Sequence, residues 1–246
     1  MSGHNKWSTI KHKKAKTDQQ RGKIFSKLVR EIMVAVKELG PDPDANTRLR
    51  LAIQKAKDEN MPNDNIKRAI QKGAGGDGDK PLEEITFEGY GPNGVAILIE
   101  TLTDNRNRTV PNIRIILNKN KGNLAEKGAV SYLFSKKGLI VFEPGQSEET
   151  IIEVATEAGA DDIDIKEDAS IEVLTATNTF EEVRKAFDQN NLSYISAEMQ
   201  HIPSTWIDLE GADSRALLTL IDSLEDDDDV QNVYTNGTFS DETFQD

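Results

Sequence analysis

The chain has 246 residues with a formal net charge of −13, and 36% of its residues are hydrophobic while 30% are charged. This composition supplies enough apolar side chains for folded cores and therefore excludes wholesale disorder. The sequence contains no cysteine, which excludes disulfides, thiolate metal sites and cysteine nucleophiles, and its three histidines leave little for a histidine-based catalytic triad.

The net charge conceals a strong segregation of charge along the chain. Residues 1–37 carry 10 basic and 2 acidic side chains, whereas residues 81–246 carry 12 basic and 33 acidic side chains. Salt screens charges over about 8 Å, so a basic segment responds to its own charge more than to that of a distant acidic domain. The acidic composition of the whole chain therefore does not argue against a nucleic-acid partner.

Residues 1–20 contain only Trp7 and Ile10 as large apolar side chains, which predicts a mobile arm. Cations run through this arm into the following segment at a spacing that suits phosphate contacts, and the Trp7 indole could stack on a base. Lysine makes such contacts without reading sequence. The alternatives are a solvated tail, or Trp7 packing back onto the folded protein. The candidate nucleic-acid-binding residues are Lys6, Trp7, Lys11, Lys13, Lys14, Lys16, Arg21, Lys23 and Lys27.

The next segment predicts three helices. Apolar residues at three- and four-residue steps from Ile24 to Leu39 predict an amphipathic helix that Gly40 and Pro41 end. Similar spacing predicts helices over 49–56 and 62–72, which together make a small bundle. The glycine-rich segment 73–81 predicts a linker. It matches G-x-G-x-x-G, but a dinucleotide site needs a preceding strand, so a hinge is favoured.

After the linker, the apolar pattern predicts strands that alternate with helices. Segment 139–202 has the order β-α-β-β-α-β of a ferredoxin-like fold. Its flanking segments could form a second α+β lobe into which it is inserted. The predicted strands are 85–87, 95–102, 139–142, 163–165, 170–175, 193–202 and 230–234, and the predicted helices are 110–118, 148–158, 180–189 and 212–224.

The fold class predicted from these elements is α+β multidomain, with an N-terminal three-helix bundle followed by two α+β (ferredoxin-like) lobes. The first predicted domain, 1–78, combines the basic arm with the helical bundle. The second combines 79–136 with 203–240, and the third, 137–202, is inserted within it.

A polar cluster from Thr103 to Thr109 lies between a predicted strand and a predicted helix. The free amides at a helix start, together with Arg106 and Arg108, could bind an anion. Asp104 could equally pair with one arginine and cap the turn, so both interpretations stay open. Four lysines would extend a basic face here if they lie on the same side: Lys119, Lys121, Lys136 and Lys137.

Five consecutive acids, Glu225 to Asp229, follow the last predicted helix. Carboxylates at a C-terminus oppose the helix dipole, so we expect the helix to end before them. Adjacent carboxylates in a loop rarely supply the fixed geometry of a metal site, which favours a role in solubility or in repelling nucleic acid. No nucleophile–base pair stands out, so we predict no catalytic residue, metal or cofactor, and we expect no enzymatic activity.

Several strings resemble the YebC/PmpR family, which includes the mitochondrial translational activator of cytochrome oxidase. They are SGHNKWSTIKHKKAKTDQQRGKIFSKLVREI, NMPNDNIKRAIQKGAG, FEGYGPNGVAILIETLTDNRNRT and FSKKGLIVF. Asn5 and the Ser8-Thr9 pair depart from the usual opening but remove no cation. The resemblance implies a three-domain cytoplasmic protein with two α+β domains around an acidic groove. It also implies a DNA-binding transcriptional regulator or a ribosome-associated factor that relieves stalling at proline-rich stretches, with the basic arm and the segment from 103 to 109 as contact regions.

The leading hypothesis is a nucleic-acid-binding regulator of gene expression, expected to be a monomer. Duplex DNA and ribosomal RNA stay separate alternatives, although no helix carries residues set to read base edges, which weakens a sequence-specific DNA reader. A protein-interaction adaptor with acidic lobes and an enzyme acting between the lobes are the other classes. No apolar run is long enough to cross a bilayer and no signal peptide is recognisable, so we expect a cytoplasmic protein without a membrane partner.

Overall fold

The computed structural model describes residues 18–75, 81–240 and 243. Within these residues the chain forms a bundle of helices followed by two four-stranded sheets, each covered by helices. The α+β multidomain fold class predicted from the sequence is therefore confirmed.

Three helices form the N-terminal bundle because each buries one apolar stripe against the other two. Leu28 and Ile32 of the first helix pack against Leu49 of the second and Ile66 of the third. The buried Asn46 side chain fixes the turn before the second helix, since it accepts from the Leu49 amide at 2.9 Å and donates to the Ala35 and Gly40 carbonyls. The helices are α1 Asp18–Leu39, α2 Thr47–Asp58 and α3 Asn63–Gly75.

The structure corrects the prediction that the linker begins at Gly73. Helix α3 continues to Gly75, so the first three residues of the glycine-rich segment are helical. A Cβ at Gly73 would lie 2.9 Å from the Met33 carbonyl oxygen and 2.9 Å from the Val36 Cβ. Gly73 therefore permits the close approach of α1 and α3 rather than a hinge motion.

The first sheet has the strand order β3-β1-β2-β9, and its neighbours are antiparallel. The helices before β3 and β9 cover one face, where Ile97, Ile99, Ile113 and Leu217 are fully buried. Its order along the chain, with β1 and β2 consecutive, differs from β-α-β-β-α-β. The elements are β1 Glu83–Tyr90, β2 Ala96–Thr103, α4 Arg106–Lys119, β3 Asn123–Leu124, α7 Gly211–Glu225 and β9 Val230–Thr235.

The second sheet has the antiparallel order β5-β6-β4-β7, which is the ferredoxin-like arrangement predicted for this segment. Phe142, Ile151, Phe180 and Phe187 fill the core between this sheet and its two helices. The elements are β4 Phe134–Phe142, α5 Glu148–Glu157, β5 Asp162–Ile165, β6 Ile171–Thr175, α6 Phe180–Gln189 and β7 Ser196–Pro203.

The β4–β7 ladder extends beyond the second sheet and contacts the first. Strand β4 begins at Phe134, five residues before the predicted start, and Phe134 packs in a cluster with Leu98 and Tyr234 of the first sheet. Just beyond the ladder, the short strands β8 Ile207–Asp208 and β10 Gly237–Thr238 pair in parallel. The chain therefore passes between the two sheets along two adjacent segments. The predicted domain boundaries stay a prediction.

Candidate nucleic-acid interface

Most of the predicted arm contacts fall on residues outside those that the structure describes. These are Lys6, Trp7, Lys11, Lys13, Lys14 and Lys16. Arg21 lies in α1, but its side chain is also outside the description. The predicted residues whose side chains have a described position are Lys23 and Lys27 on α1, and Arg106 and Arg108 at the start of α4.

The basic face of α1 contacts the five acids Glu225–Asp229, which we call the acidic turn. Lys23 Nζ lies 3.3 Å from the Asp226 carboxylate and donates to the Asp226 carbonyl at 3.2 Å. Lys27 Nζ donates to the Glu225 carbonyl at 2.5 Å. These two predicted nucleic-acid contacts are therefore engaged with the protein's own acidic turn.

Arg30 completes this face, because residues 23, 27 and 30 lie one helical turn apart. Its guanidinium donates to the Asp228 carbonyl at 2.7 Å and to the Asp229 carboxylate at 3.1 Å. The sequence pattern alone does not point to Arg30 in this role, and it predicts an acidic turn that serves solubility or repels nucleic acid. The available signal was the match between three cations on one helix face and a run of five acids.

Asp229 is the centre of the contact and is only 2% exposed. Arg108 Nη2 donates to its two oxygens at 2.7 and 2.8 Å, and the hydroxyls of Thr109 and Thr103 donate at 2.8 and 3.2 Å. Burial alone would raise the pKa of the Asp229 carboxyl, but the hydrogen bonds from Arg108 and Thr109 outweigh burial and lower it. The carboxylate is therefore held ionised between α1, α4 and the sheet.

The polar segment from 103 to 109 thus binds an anion that belongs to the protein itself. Asn105, not Asp104, caps α4, because its side chain accepts from the Arg108 amide at 3.2 Å. Asp104 pairs with Arg108 Nη2 at 3.0 Å. Arg106 remains exposed, with its guanidinium 3.8 Å from the Glu83 carboxylate. Helix α4 begins at Arg106 rather than at the predicted Val110 because of this cap.

Two shallow clefts flank the cation-bearing face of α1. One, of about 290 Å³, lies at the acidic turn and is lined by Arg30, Arg108, Asn112 and residues 227–229. The other, of about 190 Å³, is lined by Val29 of α1 and by Asn65, Arg68, Ala69 and Lys72 of α3. The lining of the second cleft thus combines the apolar side chains of Val29 and Ala69 with the cations Arg68 and Lys72.

A polar cluster that the sequence pattern does not predict lies between the two sheets. The Glu100 carboxylate accepts from Asn232 at 3.0 Å and from the Tyr234 hydroxyl at 3.1 Å, and it lies 3.2 Å from His201 Nε2. Burial would raise the pKa of Glu100, but the bonds from His201 and Asn232 lower it to about 2. Burial, and then the nearby Glu100, raise the pKa of Tyr234. The ionised Glu100 carboxylate, hydrogen-bonded through both oxygens, therefore joins strands of both sheets.

Ion pairs also join the helical bundle to both sheets. Arg48 of α2 binds Glu84 at the start of β1, and it also binds Glu31 of α1 at 2.7 Å. Lys55 of α2 lies 3.0 Å from the Glu198 carboxylate of β7. Cations of α2 therefore pair with acidic side chains of both sheets.

The described ranges 18–75, 81–240 and 243 hold no group of three His, Asp or Glu side chains placed to bind a metal ion. Within the same ranges, none of the helices combines the length and the apolar character that crossing a bilayer requires.

Comparison with known proteins gives consistent matches over the whole chain. The family model described as TACO1/YebC protein N-terminal domain matches residues 5–76, and the model described as TACO1/YebC second and third domain matches residues 82–237. A protein of Geobacter sp. strain M21 is 53% identical over 100% of this chain and 99% of its own length. One of Pectobacterium atrosepticum is 50% identical over 98% of each chain. Both are named "probable transcriptional regulatory protein".

Among solved structures, the crystal structure of a conserved hypothetical protein from Aquifex aeolicus superposes with a TM-score of 0.83. That protein is 41% identical to this chain, and the match covers 92% of this chain and 94% of the other. The similarity therefore extends to the arrangement of the helical bundle and both sheets.

Proposed function

Because the chain belongs to the TACO1/YebC family, we propose that it is a nucleic-acid-binding regulator of gene expression that acts without catalysing a reaction. The name shared by its relatives supports a regulatory role. The observation that carries the proposal is the charge segregation, since residues 1–37 hold 10 basic and 2 acidic side chains beside a strongly acidic body. Such a basic segment is the electrostatic footprint of a phosphate-binding protein.

Some of the residues predicted to contact phosphate already bind other groups of the protein. Lys23, Lys27 and Arg108 already donate to the acidic turn, so phosphate would have to displace carbonyls and carboxylates to reach them. The predicted cations that remain are those of the arm, which lie outside the residues that the structure describes. We therefore assign the main phosphate contacts to Lys6, Lys11, Lys13, Lys14 and Lys16, with Trp7 stacking on a base.

Helix α3 offers the arm an adjoining contact surface. Lys67 and Arg68 are exposed on this helix, and Arg68 lines the shallow cleft against α1. Both residues lie in the helical bundle that follows the arm in the sequence, so we propose that one nucleic-acid backbone contacts the arm and then this helix. Their contacts would add affinity rather than sequence discrimination, because single cations on phosphate carry no base readout.

A ribosome-associated function in translation is the second candidate. The observation that favours it is the excess of acids in residues 81–246, with 33 acidic against 12 basic side chains. An acidic body is repelled by a polyphosphate surface, whereas a lysine-rich arm can enter a folded RNA. DNA-binding transcriptional regulation remains the leading candidate through the relatives' name.

The arm is tested by replacing Lys11, Lys13, Lys14 and Lys16 with glutamine. We expect the affinity for nucleic acid to fall at least tenfold near physiological salt, and the slope of log affinity against log salt to fall with the number of lost phosphate contacts. The thermal unfolding midpoint should not change. The matched control replaces four exposed cations elsewhere, namely Lys37, Lys57, Lys185 and Arg215, with glutamine. Equal affinities of the two variants would reject the arm and favour the adaptor alternative.

The two nucleic-acid targets are separated by competition. Labelled protein is offered ribosomes and random duplex DNA together, and its partition between them is measured by sedimentation. If the protein partitions to ribosomes, and the four arm substitutions abolish this binding, the protein acts as a translation factor. Partition to duplex DNA would support transcriptional regulation and justify a search for a preferred site.

A further inference from the structure

A second basic segment lies within the acidic part of the chain. Residues 104–137 hold 8 of the 12 basic side chains of residues 81–246, but only 2 of the 33 acidic side chains. The segment runs from α4 through β3 to the start of β4. A basic stripe on an otherwise acidic body indicates a surface for a polyanion.

Part of this positive charge is neutralised within the protein, and part of it is not. Arg108 pairs with Asp229, and Lys137 Nζ lies 2.5 Å from the Asp161 carboxylate. Lys127 and Lys136 are exposed, and over the described residues no carboxylate lies within ion-pair distance of either. These two lysines can therefore take an external phosphate without breaking an existing pair.

Tyr132 lies between these two lysines in the sequence. Its side chain is 76% exposed, the highest value among the large apolar side chains that the structure describes. Its supporting loop is nevertheless fixed. The buried Glu88 carboxylate accepts from the amides of Gly128, Val130 and Ser131 at 2.6, 2.7 and 2.8 Å. Because the loop that carries Tyr132 is already fixed, the ring loses little conformational entropy when a ligand stacks on it.

Trp206 is exposed on the adjacent chain segment. The Ser204 amide donates to the Leu133 carbonyl at 2.8 Å, so the segment that carries Trp206 runs beside the one that carries Tyr132. Trp206 is 40% exposed. Lys136 lies in the β4–β7 ladder that begins just beyond this bond, opposite His201. Two exposed aromatic rings and two unpaired lysines thus lie along two neighbouring segments at the junction of the sheets.

We propose that Tyr132, Trp206, Lys127 and Lys136 form a binding surface for single-stranded nucleic acid, separate from the arm. Successive bases stack on the two rings, while the lysines contact the phosphates. The ligand is single-stranded because bases within a duplex do not offer their faces for stacking. This inference rests on the proposed function. It adds a second nucleic-acid contact, formed by residues that follow the linker in the sequence, whereas the arm precedes it.

The first test uses fluorescence. The chain has two tryptophans, Trp7 and Trp206, so the Trp7→Phe variant leaves Trp206 as its only indole. This variant is titrated with a 20-nucleotide oligouridine RNA and, separately, with a 20-base-pair duplex DNA. We expect saturable quenching of Trp206 by the RNA and at least fivefold weaker quenching by the duplex.

The second test uses point variants of the full chain, with oligouridine affinity measured by fluorescence anisotropy. Tyr132→Ala should weaken binding about tenfold, whereas Tyr132→Phe, which keeps the ring, should bind like the parent. Replacing Lys127 and Lys136 with glutamine should lower the magnitude of the salt slope by about 1.4. The matched controls are Ile152→Ala and Lys185→Gln, exposed residues of the second sheet's helices.

The outcomes separate this inference from the proposed function. If the parent protein binds no nucleic acid near physiological salt, the proposed function fails and this inference fails with it. If the parent binds but Tyr132→Ala binds equally well and Trp206 is not quenched, this surface is rejected while the arm proposal stands. A change in self-association of Tyr132→Ala without a change in RNA affinity would also reject it, in favour of a contact between protein molecules.

Discussion

Asp229 differs from the four acidic residues before it because its carboxylate is buried among donors from three parts of the chain. Nothing in the local pattern distinguishes it within a run of five acids. Its partners Arg108 and Thr109 lie about 120 residues earlier, and Arg30 lies 199 residues earlier. The sequence therefore predicts an acidic loop but not which acid the fold uses.

Replacing Asp229 with alanine should lower the free energy of unfolding by about 3 kcal/mol, because Arg108 and two threonine hydroxyls lose their buried acceptor. The measurement is equilibrium unfolding in urea. The adjacent Asp228→Ala is the matched control, since its side chain is exposed and only its carbonyl binds Arg30. That variant should stay within about 0.5 kcal/mol of the parent. Equal losses would show that Asp229 has no special role.

Because the pKa of Glu100 is low in the folded protein, the free energy of unfolding should depend on pH below about pH 5. Its pKa is about 2 in the folded protein, below the usual unfolded value near 4.3. The stabilisation is therefore fully present above the unfolded value and is lost as pH falls through about 2. We expect the stability difference between the parent and Glu100→Gln to shrink steadily from pH 5 to pH 2. A difference that stays constant over this range would contradict the assignment.

At the scale of elements, the sequence predicts type and order well because each helix and strand carries its own apolar period. Each helix and strand predicted from the sequence is present, with bounds that differ from the structure by at most about six residues, and the ferredoxin-like order of the second sheet follows from them. The glycine-rich segment is the instructive exception. Glycine is a linker residue when it is exposed, but Gly73 is glycine because α1 approaches it too closely for a side chain.

Gly73 and Gly75 provide a matched pair of substitutions within one helix. Gly73→Ala should destabilise the helical bundle by about 1–3 kcal/mol, because its Cβ would overlap the Met33 carbonyl and Val36. Gly75→Ala meets no atom of the described residues within 4 Å and should be neutral or stabilising by up to about 1 kcal/mol. Thermal unfolding of both variants is the measurement. A flexible hinge at Gly73 would instead tolerate alanine as well as Gly75 does.

At the scale of the whole molecule, charge segregation is visible in the sequence, but the contact between opposite charges is not. The acidic turn binds the basic face of α1, so part of the cationic surface faces the protein itself. Predicting this contact requires the relative placement of the bundle and the first sheet. That placement depends on long-range packing rather than on any local period.

The acidic turn should therefore oppose nucleic-acid binding. Replacing Asp226 and Asp228 with asparagine removes two exposed negative charges beside Lys23 and Arg30 while leaving the buried Asp229 in place. We expect nucleic-acid affinity near physiological salt to rise about threefold to tenfold. The control replaces Glu153 and Glu157, exposed acids of α5, with glutamine and should change affinity less than twofold. An equal rise in nucleic-acid affinity in both variants would show that the effect depends on net charge and not on the position of the acidic turn.

The contact between α1 and the acidic turn has a consequence for the protein while it is being synthesised. The two partners are separated by 198 to 203 residues, so the cations of α1 emerge long before the groups that bind them. Residues 1–80 carry 18 basic and 10 acidic side chains, which makes the early nascent chain a polycation. Only when the turn after α7 has been translated can α1 close onto it. The growing chain therefore presents to nearby RNA a basic helix face that in the finished protein is paired with the acidic turn.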